Sequence, residues 1–373
     1  MQNPGEIIQD VPTLRCCYGC LSAYEGPMSP AGIPLNVKKY TDDMLAWVRG
    51  RGKVIIIVHD NPDPDCLASA LALRHLFVMK LNKDPVIAFS GMIARSENLV
   101  MAKELEIPLV PLGIVDLKEF QVVCMLDTQP GTGNNALPPG VRVNIIVDHH
   151  PARELSKQSR WVDIRDDYGV TATIIYEYLL AQEVTIGTKL ATALFYAIKS
   201  ETQDLGREAN RPDRDAYLRL FPLTNKKLLY EITHPKLSKE YFLTISNALE
   251  HTKIYGSLLI ANLGRIMFPE MVAEMADFLL RLEDIETSLC MGHYANEMII
   301  SIRTVRQDLN AGEIIKRLVL GLGTAGGHGM MAGGKIDNVP ADPKAALRIE
   351  KKLTERLLAE LNLQEAKPCR LLE

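Results

Sequence analysis

Three aliphatic runs in this chain each end in acidic residues. Residues 54–58 lead into His59-Asp60-Asn61-Pro62-Asp63-Pro64-Asp65, residues 122–126 end in Asp127, and residues 143–147 end in Asp148-His149-His150. Runs of about five β-branched and aliphatic residues predict strands buried on both faces, as in a parallel sheet. Ligands of such sheets bind beyond the carboxyl ends of the strands. All three clusters then gather along one edge, where crowded carboxylates repel one another unless cations lie between them. The pattern predicts a metal centre with more than one ion.

At 373 residues, 47% hydrophobic and 24% charged, the chain reads as a globular protein of two domains. A net charge of −4 excludes a broadly basic nucleic-acid surface but not a local basic groove. Residues 1–10 are polar and acidic, unlike a signal peptide, and no run of 18 apolar residues predicts a membrane span. Seven irregularly spaced cysteines suit a reducing compartment, so the expected location is cytoplasmic. Cys16, Cys17 and Cys20 include a zinc or redox spacing, but no second Cys/His pair follows at finger-like distance. The plainer expectation is an N-terminal extension over residues 1–40.

The first unit reads as strand, loop and helix, with Leu67, Leu71, Leu73, Leu76 and Phe77 at helical spacing across 66–80. Strands follow at 85–89, 109–112 and 120–126, with a helix at 97–105 and a Pro/Gly-rich loop at 134–143. This alternation predicts a parallel-sheet α/β domain over residues 41–223. Within it the pattern turns helical at 169–181 and 189–199 and stays helical through about 247, with a connector over 224–252. A smaller α/β domain is expected over 253–373. It has strands at 257–262, 285–293 and 297–303 and helices at 270–281, 311–319 and 343–361, with a glycine-rich loop at 321–334. The two domains would face a cleft.

Asp63 and Asp65 flank a proline, so the turn holds the two carboxylates toward different partners. Oxygen ligands with a minority of imidazoles suit Mn²⁺ or Mg²⁺ better than Zn²⁺. A single Asp after a strand is usually a helix cap. Three clusters at three strand ends, two of them with histidine, favour metal.

His59-x-Asn61-Pro62-Asp63-x-Asp65, the small residues Ala68-Ser69-Ala70, then Asp127 and Asp148-His149-His150 together resemble the DHH phosphoesterase family. Gly326-Gly327-His328 resembles the glycine-glycine-histidine loop of the DHH-associated second domain, and Ser301-Ile302-Arg303 its substrate-binding Ser-x-Arg. The likeness covers nearly all of the chain beyond the first ~40 residues, and is nearest to the compact nanoRNase and pAp-phosphatase branch of the RecJ superfamily. Two departures stand out. Ala325 replaces a frequent glycine, and the fourth motif, Thr202-Gln203-Asp204-Leu205-Gly206, has Leu205 where Thr is usual. Asp163, Asp166 and Asp167 are rivals for that motif but come too soon after the triplet.

The resemblance implies two divalent ions, Mn²⁺ or alternatively Mg²⁺. His59, Asp63 and Asp127 would hold one. Asp65, Asp127, His149 and Asp204 would hold the other, with Asp127 bridging. Asp148 and His150 would support the ligands or face phosphate. Arg303, Gly326, Gly327 and His328 would bind substrate, with Arg95 and Asn98 approaching it unless they merely start a helix. The implied enzyme is a phosphoesterase using metal-activated water on short oligoribonucleotides, linear dinucleotides or pAp. A cyclic-dinucleotide phosphodiesterase, a polyphosphatase or pyrophosphatase, and a non-catalytic nucleotide-binding regulator are the alternatives. Long duplex nucleic acid and membranes are not expected partners, whereas a homodimer is plausible from the exposed edge of the smaller sheet.

Overall fold

A computed structural model describes residues 35–93, 95–207, 209–339 and 343–372. The Cys16-Cys17-Cys20 cluster lies outside the described residues. No helix among the described residues is long and apolar enough to cross a membrane.

Helix α1 (Leu35–Arg49) precedes β1 (Lys53–Ile57), α2 (Pro64–Leu81), β2 (Val86–Phe89), α3 (Ser96–Glu104), β3 (Leu109–Pro111), β4 (Phe120–Leu126), β5 (Ile145–Asp148) and β6 (Trp161–Ile164). The six strands form one sheet in the order β3-β2-β1-β4-β5-β6, with every neighbouring pair parallel. Strand pleating sends alternate residues to opposite faces. Val54 and Ile56 join the larger core, while Ile55 and Ile57 join Val123, Met125 and Ile146 on the other face. Each such fully buried side chain contributes about 1.5–3 kcal/mol. Strand order reverses between β1 and β4, the switch point where a crevice opens beyond the strand ends.

In this first part, helix α1 and strand β6 escaped the sequence pattern. Helix α1 straddles the end of the expected extension at residue 40 and buries Val37, Met44, Leu45 and Val48 in the main core. Strand β6 carries no long aliphatic run; backbone pairing with β5 holds it, and each of its residues is half-buried.

Helices α4 (Thr171–Ala181) and α5 (Thr188–Glu201) pack against α2, and α6 (Arg211–Leu220), α7 (Lys226–Thr233) and α8 (Lys239–His251) follow. The second sheet uses β7 (Lys253–Tyr255), β8 (Leu258–Arg265), β9 (Thr287–Tyr294), β10 (Glu297–Thr304), β11 (Thr324–His328), β12 (Met331–Ile336) and β13 (Cys369–Arg370). Its order is β11-β12-β10-β9-β8-β7-β13, with only β8 and β9 parallel. Helices α9 (Glu270–Leu279), α10 (Ala311–Leu318) and α11 (Pro343–Glu360) complete this part.

The glycine-rich stretch at 321–334 is a β-hairpin, correcting the loop expected there. Its glycines permit close backbone approach. A Cβ on Gly323 would lie 2.0 Å from the Lys335 carbonyl oxygen, and one on Gly327, at φ +137°, would lie 2.5 Å from Ala332 Cα.

Candidate metal centre

The loop after β1 begins with His59, and its backbone is tied on both sides. Asp60 N donates to Asn134 O at 2.7 Å and Asn61 N to Ser90 O at 3.0 Å. Asn61 has φ +56° and accepts from Met92 N at 2.8 Å through Oδ1. Pro64 opens α2 and Asp63 caps it, accepting from Cys66 N at 3.0 Å. Proline at the first helical turn and an acidic cap are the usual way to start a helix, and here they fix the Asp63 carboxylate at the strand end.

His59 Nε2 lies 3.4 Å from Asp63 Oδ1 and 3.6 Å from Asp127 Oδ2. His149 Nε2 lies 3.6 Å from Asp127 Oδ1 and 3.9 Å from Asp65 Oδ2. Asp127 thus stands between the two imidazoles, at φ +57° directly after β4. That left-handed backbone costs most L-residues about 1–2 kcal/mol and Asp somewhat less. Thr171 Oγ1 donates to Asp127 Oδ1 at 3.0 Å.

Both imidazoles sit against backbone carbonyls through the other nitrogen. His59 Nδ1 lies 2.8 Å from Asp60 O and His149 Nδ1 lies 3.2 Å from Tyr168 O. A carbonyl accepts only, so Nδ1 carries a proton and Nε2 is the nitrogen left to face the carboxylates and a metal between them, the orientation a metal site requires. Asp65 is fully buried and accepts from Thr171 N at 2.8 Å and Ala172 N at 2.7 Å, at the start of α4. The positive end of that helix favours its anion.

The charges in the cluster are under strain. Burial raises Asp65 well above the usual carboxylate value, and Asp127, Asp63 and Glu201 add to this. Burial, with Asp63 and Asp127 close by, pushes Glu201 up to about 8. Burial would lower His59, but Asp63 and Asp127 raise it well above an ordinary histidine. These are the shifts expected of anions gathered without a cation, and a divalent ion would reverse the repulsion. The oxygen-rich donor set with two imidazoles therefore fits a hard divalent metal. His59, Asp63 and Cys66 form one group with potential ligand atoms within 4.8 Å of one another, and Asp127, His149 and His150 another. Burial pushes the Cys66 thiol up to about 12, and Sγ donates to Asp63 O, so Cys66 is a neutral neighbour.

Asp148 is buried and holds His150, with His150 Nδ1 2.9 Å from its Oδ1. The pair raises His150 to about 9 against the effect of burial. Gln129, missed in the sequence, donates to Asp148 Oδ2 at 2.7 Å and accepts from Arg153 N and Ser156 Oγ, each at 2.8 Å. Its amide locks the triplet's support, a role that no local sequence pattern marks.

Asp204 is not brought to this cluster. It sits at φ +58°, bonded to Lys199 Nζ and, at 2.9 Å, to Tyr217 OH. Glu201, one turn earlier at the end of α5, has the carboxyl that feels Asp63, Asp127 and His150. Arg207 also acts on Glu201, and its Nε and Nη2 are buried without a hydrogen-bond partner. Counting helical turns back from Asp204 was the only signal that could have found Glu201.

In the second part, Arg303 donates through Nη1 to Ser301 Oγ at 2.7 Å and through Nε to Asp277 Oδ1 at 2.8 Å. Gly326, Gly327 and His328 lie on β11, paired with Gly333, Ala332 and Met331. Arg95 precedes α3 and makes no cap bond, with Nε 2.8 Å from Glu274 Oε1. Asn98 is buried and donates to Pro62 O at 3.1 Å, bracing the loop that carries Asp63 and Asp65.

Residues 53–198 match the N-terminal domain of the DHH family and residues 255–359 match the DHHA1 domain. The chain therefore carries a DHH-family N-terminal domain followed by a DHHA1 domain. An uncharacterised protein of Methanocaldococcus jannaschii is 32% identical over 322 residues, which is 84% of this chain and 65% of that protein. The chain thus spans just under two-thirds of that relative's length. An exopolyphosphatase-related protein from Bacteroides fragilis has the same fold, with TM-score 0.69 at 17% identity over 87% of this chain and 98% of its own. RecJ of Thermus thermophilus, in complex with Mn²⁺, gives TM-score 0.46 at 14% identity over 89% of this chain and 60% of its own.

Proposed function

We propose that this protein hydrolyses phosphate esters of short nucleotides at two divalent ions held by His59, Asp63, Asp65, Asp127, His149 and Glu201. The observation that carries the reading is the meeting of His59, Asp63, Asp65, Asp127 and His149 beyond β1, β4 and β5, with Asp127 between two imidazoles that both present Nε2. Glu201 is added because its carboxyl feels the charges of Asp63 and Asp127. Glu201 takes the place that the fourth motif suggested for Asp204. The ions, Mn²⁺ in preference to Mg²⁺, would supply an activated water and neutralise charge at phosphorus.

Asp127 orients the centre, because one carboxylate faces both histidines. Asp148 fixes His150 so that its ring can donate a proton to a phosphate oxygen. Arg207, half-buried and with Nε and Nη2 lacking a hydrogen-bond partner, acts on Glu201 and is placed to receive negative charge. Arg303 and the Gly326-Gly327 strand would hold the rest of the substrate. Residues 41–223 would form the catalytic domain, 224–252 the connector and 253–373 the substrate domain.

The substrates proposed are linear dinucleotides such as pApA or pGpG, oligoribonucleotides of a few residues, and pAp. The net charge of −4 supports them over long strands, which need a basic track. We place the enzyme in the cytoplasm and expect a homodimer, which light scattering would test. The test of function is a Mn²⁺ activity panel across pAp, pApA, a five-nucleotide RNA, cyclic di-AMP and polyphosphate. Turnover of the short linear nucleotides is expected. Turnover of polyphosphate or cyclic di-AMP alone would replace this reading with the corresponding alternative.

A further inference from the structure

We propose that Glu274 and Asp277 determine specificity by occupying two arginines that a substrate phosphate must take over. The proposal rests on the reading above, in which Arg95 and Arg303 bind substrate, and deepens it.

Helix α9 lies along the junction of the two parts. Glu270, Glu274 and Asp277 follow i, i+4, i+7 spacing, so one face carries three carboxylates. Two of them meet arginines from opposite sides. Glu274 Oε1 is 2.8 Å from Nε of Arg95, which leads into α3 of the first part. Asp277 Oδ1 accepts from Nε of Arg303 at 2.8 Å, on β10 of the second.

The first contact is incomplete. Although Arg95 Nε and Glu274 Oε1 are close, their alignment does not make a hydrogen bond, and both atoms are buried without another partner. Glu274 Oε2 is meanwhile bound by Tyr241 OH at 2.8 Å, so the carboxylate is not free to turn toward the guanidinium. Glu270 Oε2 is also buried and unpartnered. An ion pair short of its hydrogen bonds, with the Arg95 side chain 43% exposed, is open to exchange for a better acceptor. A phosphate offers a guanidinium two oxygens in fork geometry and up to two negative charges, where this carboxylate offers one misaligned oxygen.

Such an exchange selects by charge. A substrate whose phosphates, the one at the ions included, reach both arginines replaces both carboxylates and gains two charge-assisted contacts. A longer polyanion gains nothing further there and meets the displaced acidic face of α9. The ligand class that fits is a short nucleotide with two phosphate groups.

The test is calorimetric titration of pApA into the full chain, with Ca²⁺ in place of the catalytic ion so that binding is read without turnover. Arg95→Ala is expected to weaken binding by about tenfold, the loss of one charge-assisted contact. Glu274→Gln is expected to tighten it by about threefold to tenfold, and to have no effect in the Arg95→Ala background. Asp277→Asn should behave likewise against Arg303→Ala. If Glu274→Gln weakens binding or leaves it unchanged while Arg95→Ala weakens it, the competition idea falls and the substrate reading stands. If neither arginine variant weakens pApA binding, both fall.

Discussion

Glu201, the last residue of α5, feels the charges of Asp63 and Asp127, whereas Asp204, three residues on, is held by Lys199 and Tyr217. Glu201→Gln is therefore expected to lower kcat by about 100-fold or more, as losing a metal ligand does. Asp204→Asn should stay within about threefold of the parent, as is usual for a surface change. Metal content measured on both variants separates a ligand from a bystander. The reverse pattern would return the ligand role to Asp204.

Asp127 faces both His59 and His149 from a left-handed backbone position. Asp127→Asn keeps a residue that tolerates that conformation but removes the charge. Hydrolysis should be lost and the bound metal reduced, with the far-ultraviolet spectrum unchanged. Normal turnover by a well-folded Asp127→Asn protein would contradict the shared-carboxylate arrangement.

The metal-free protein should be more stable at mildly acidic pH. Glu201 is raised to about 8 by burial and by Asp63 and Asp127, so between its ordinary value and about 8 the folded state binds a proton that the unfolded state lacks. Stability therefore falls as pH rises through that window. The raised His150, held by Asp148 up to about 9, acts in the same direction at the upper end. Melts at pH 5 and pH 8 with a chelator check the sign. Divalent ion added at pH 7 should narrow the difference and release about one proton per site, read by calorimetry in buffers of differing ionisation enthalpy.

Gly91 lies behind the metal loop without touching a ligand. At φ +71°, its missing side chain leaves room for Asn61, whose Oδ1 would lie 2.3 Å from an added Cβ. Gly91→Ala should displace Asn61 and weaken metal affinity by about 10- to 100-fold, as loss of a supporting contact does. A metal titration reads this directly, and unchanged affinity would show that the loop holds without Asn61.

Arg303→Ala is expected mainly to raise KM if the arginine binds ground state and transition state alike. Arg207→Ala should instead lower kcat, since its Nε and Nη2 lack a partner and its charge acts on Glu201. Steady-state kinetics on pApA separates the two effects.

The aliphatic runs and their acidic ends were enough to predict the parallel sheet, because a strand buried on both faces must be apolar and its end must carry the polar groups. His59, Asp63, Asp127 and His149 were legible for that reason: each stands directly at, or a few residues beyond, the end of a predicted strand. Glu201, Gln129 and Arg207 were not. Each reaches the site from a helix end or a loop, and its approach depends on how α5 and the loops pack, which no local spacing records. The glycine-rich segment shows the same limit. Its composition announced close backbone approach, but pairing of 324–328 with 331–336 was settled only by contact across the chain. The sequence by itself determined which strand ends would carry charge. The tertiary structure alone decided which carboxyl of the turn after α5 faces that charge, because helix packing sets the direction in which each side chain points.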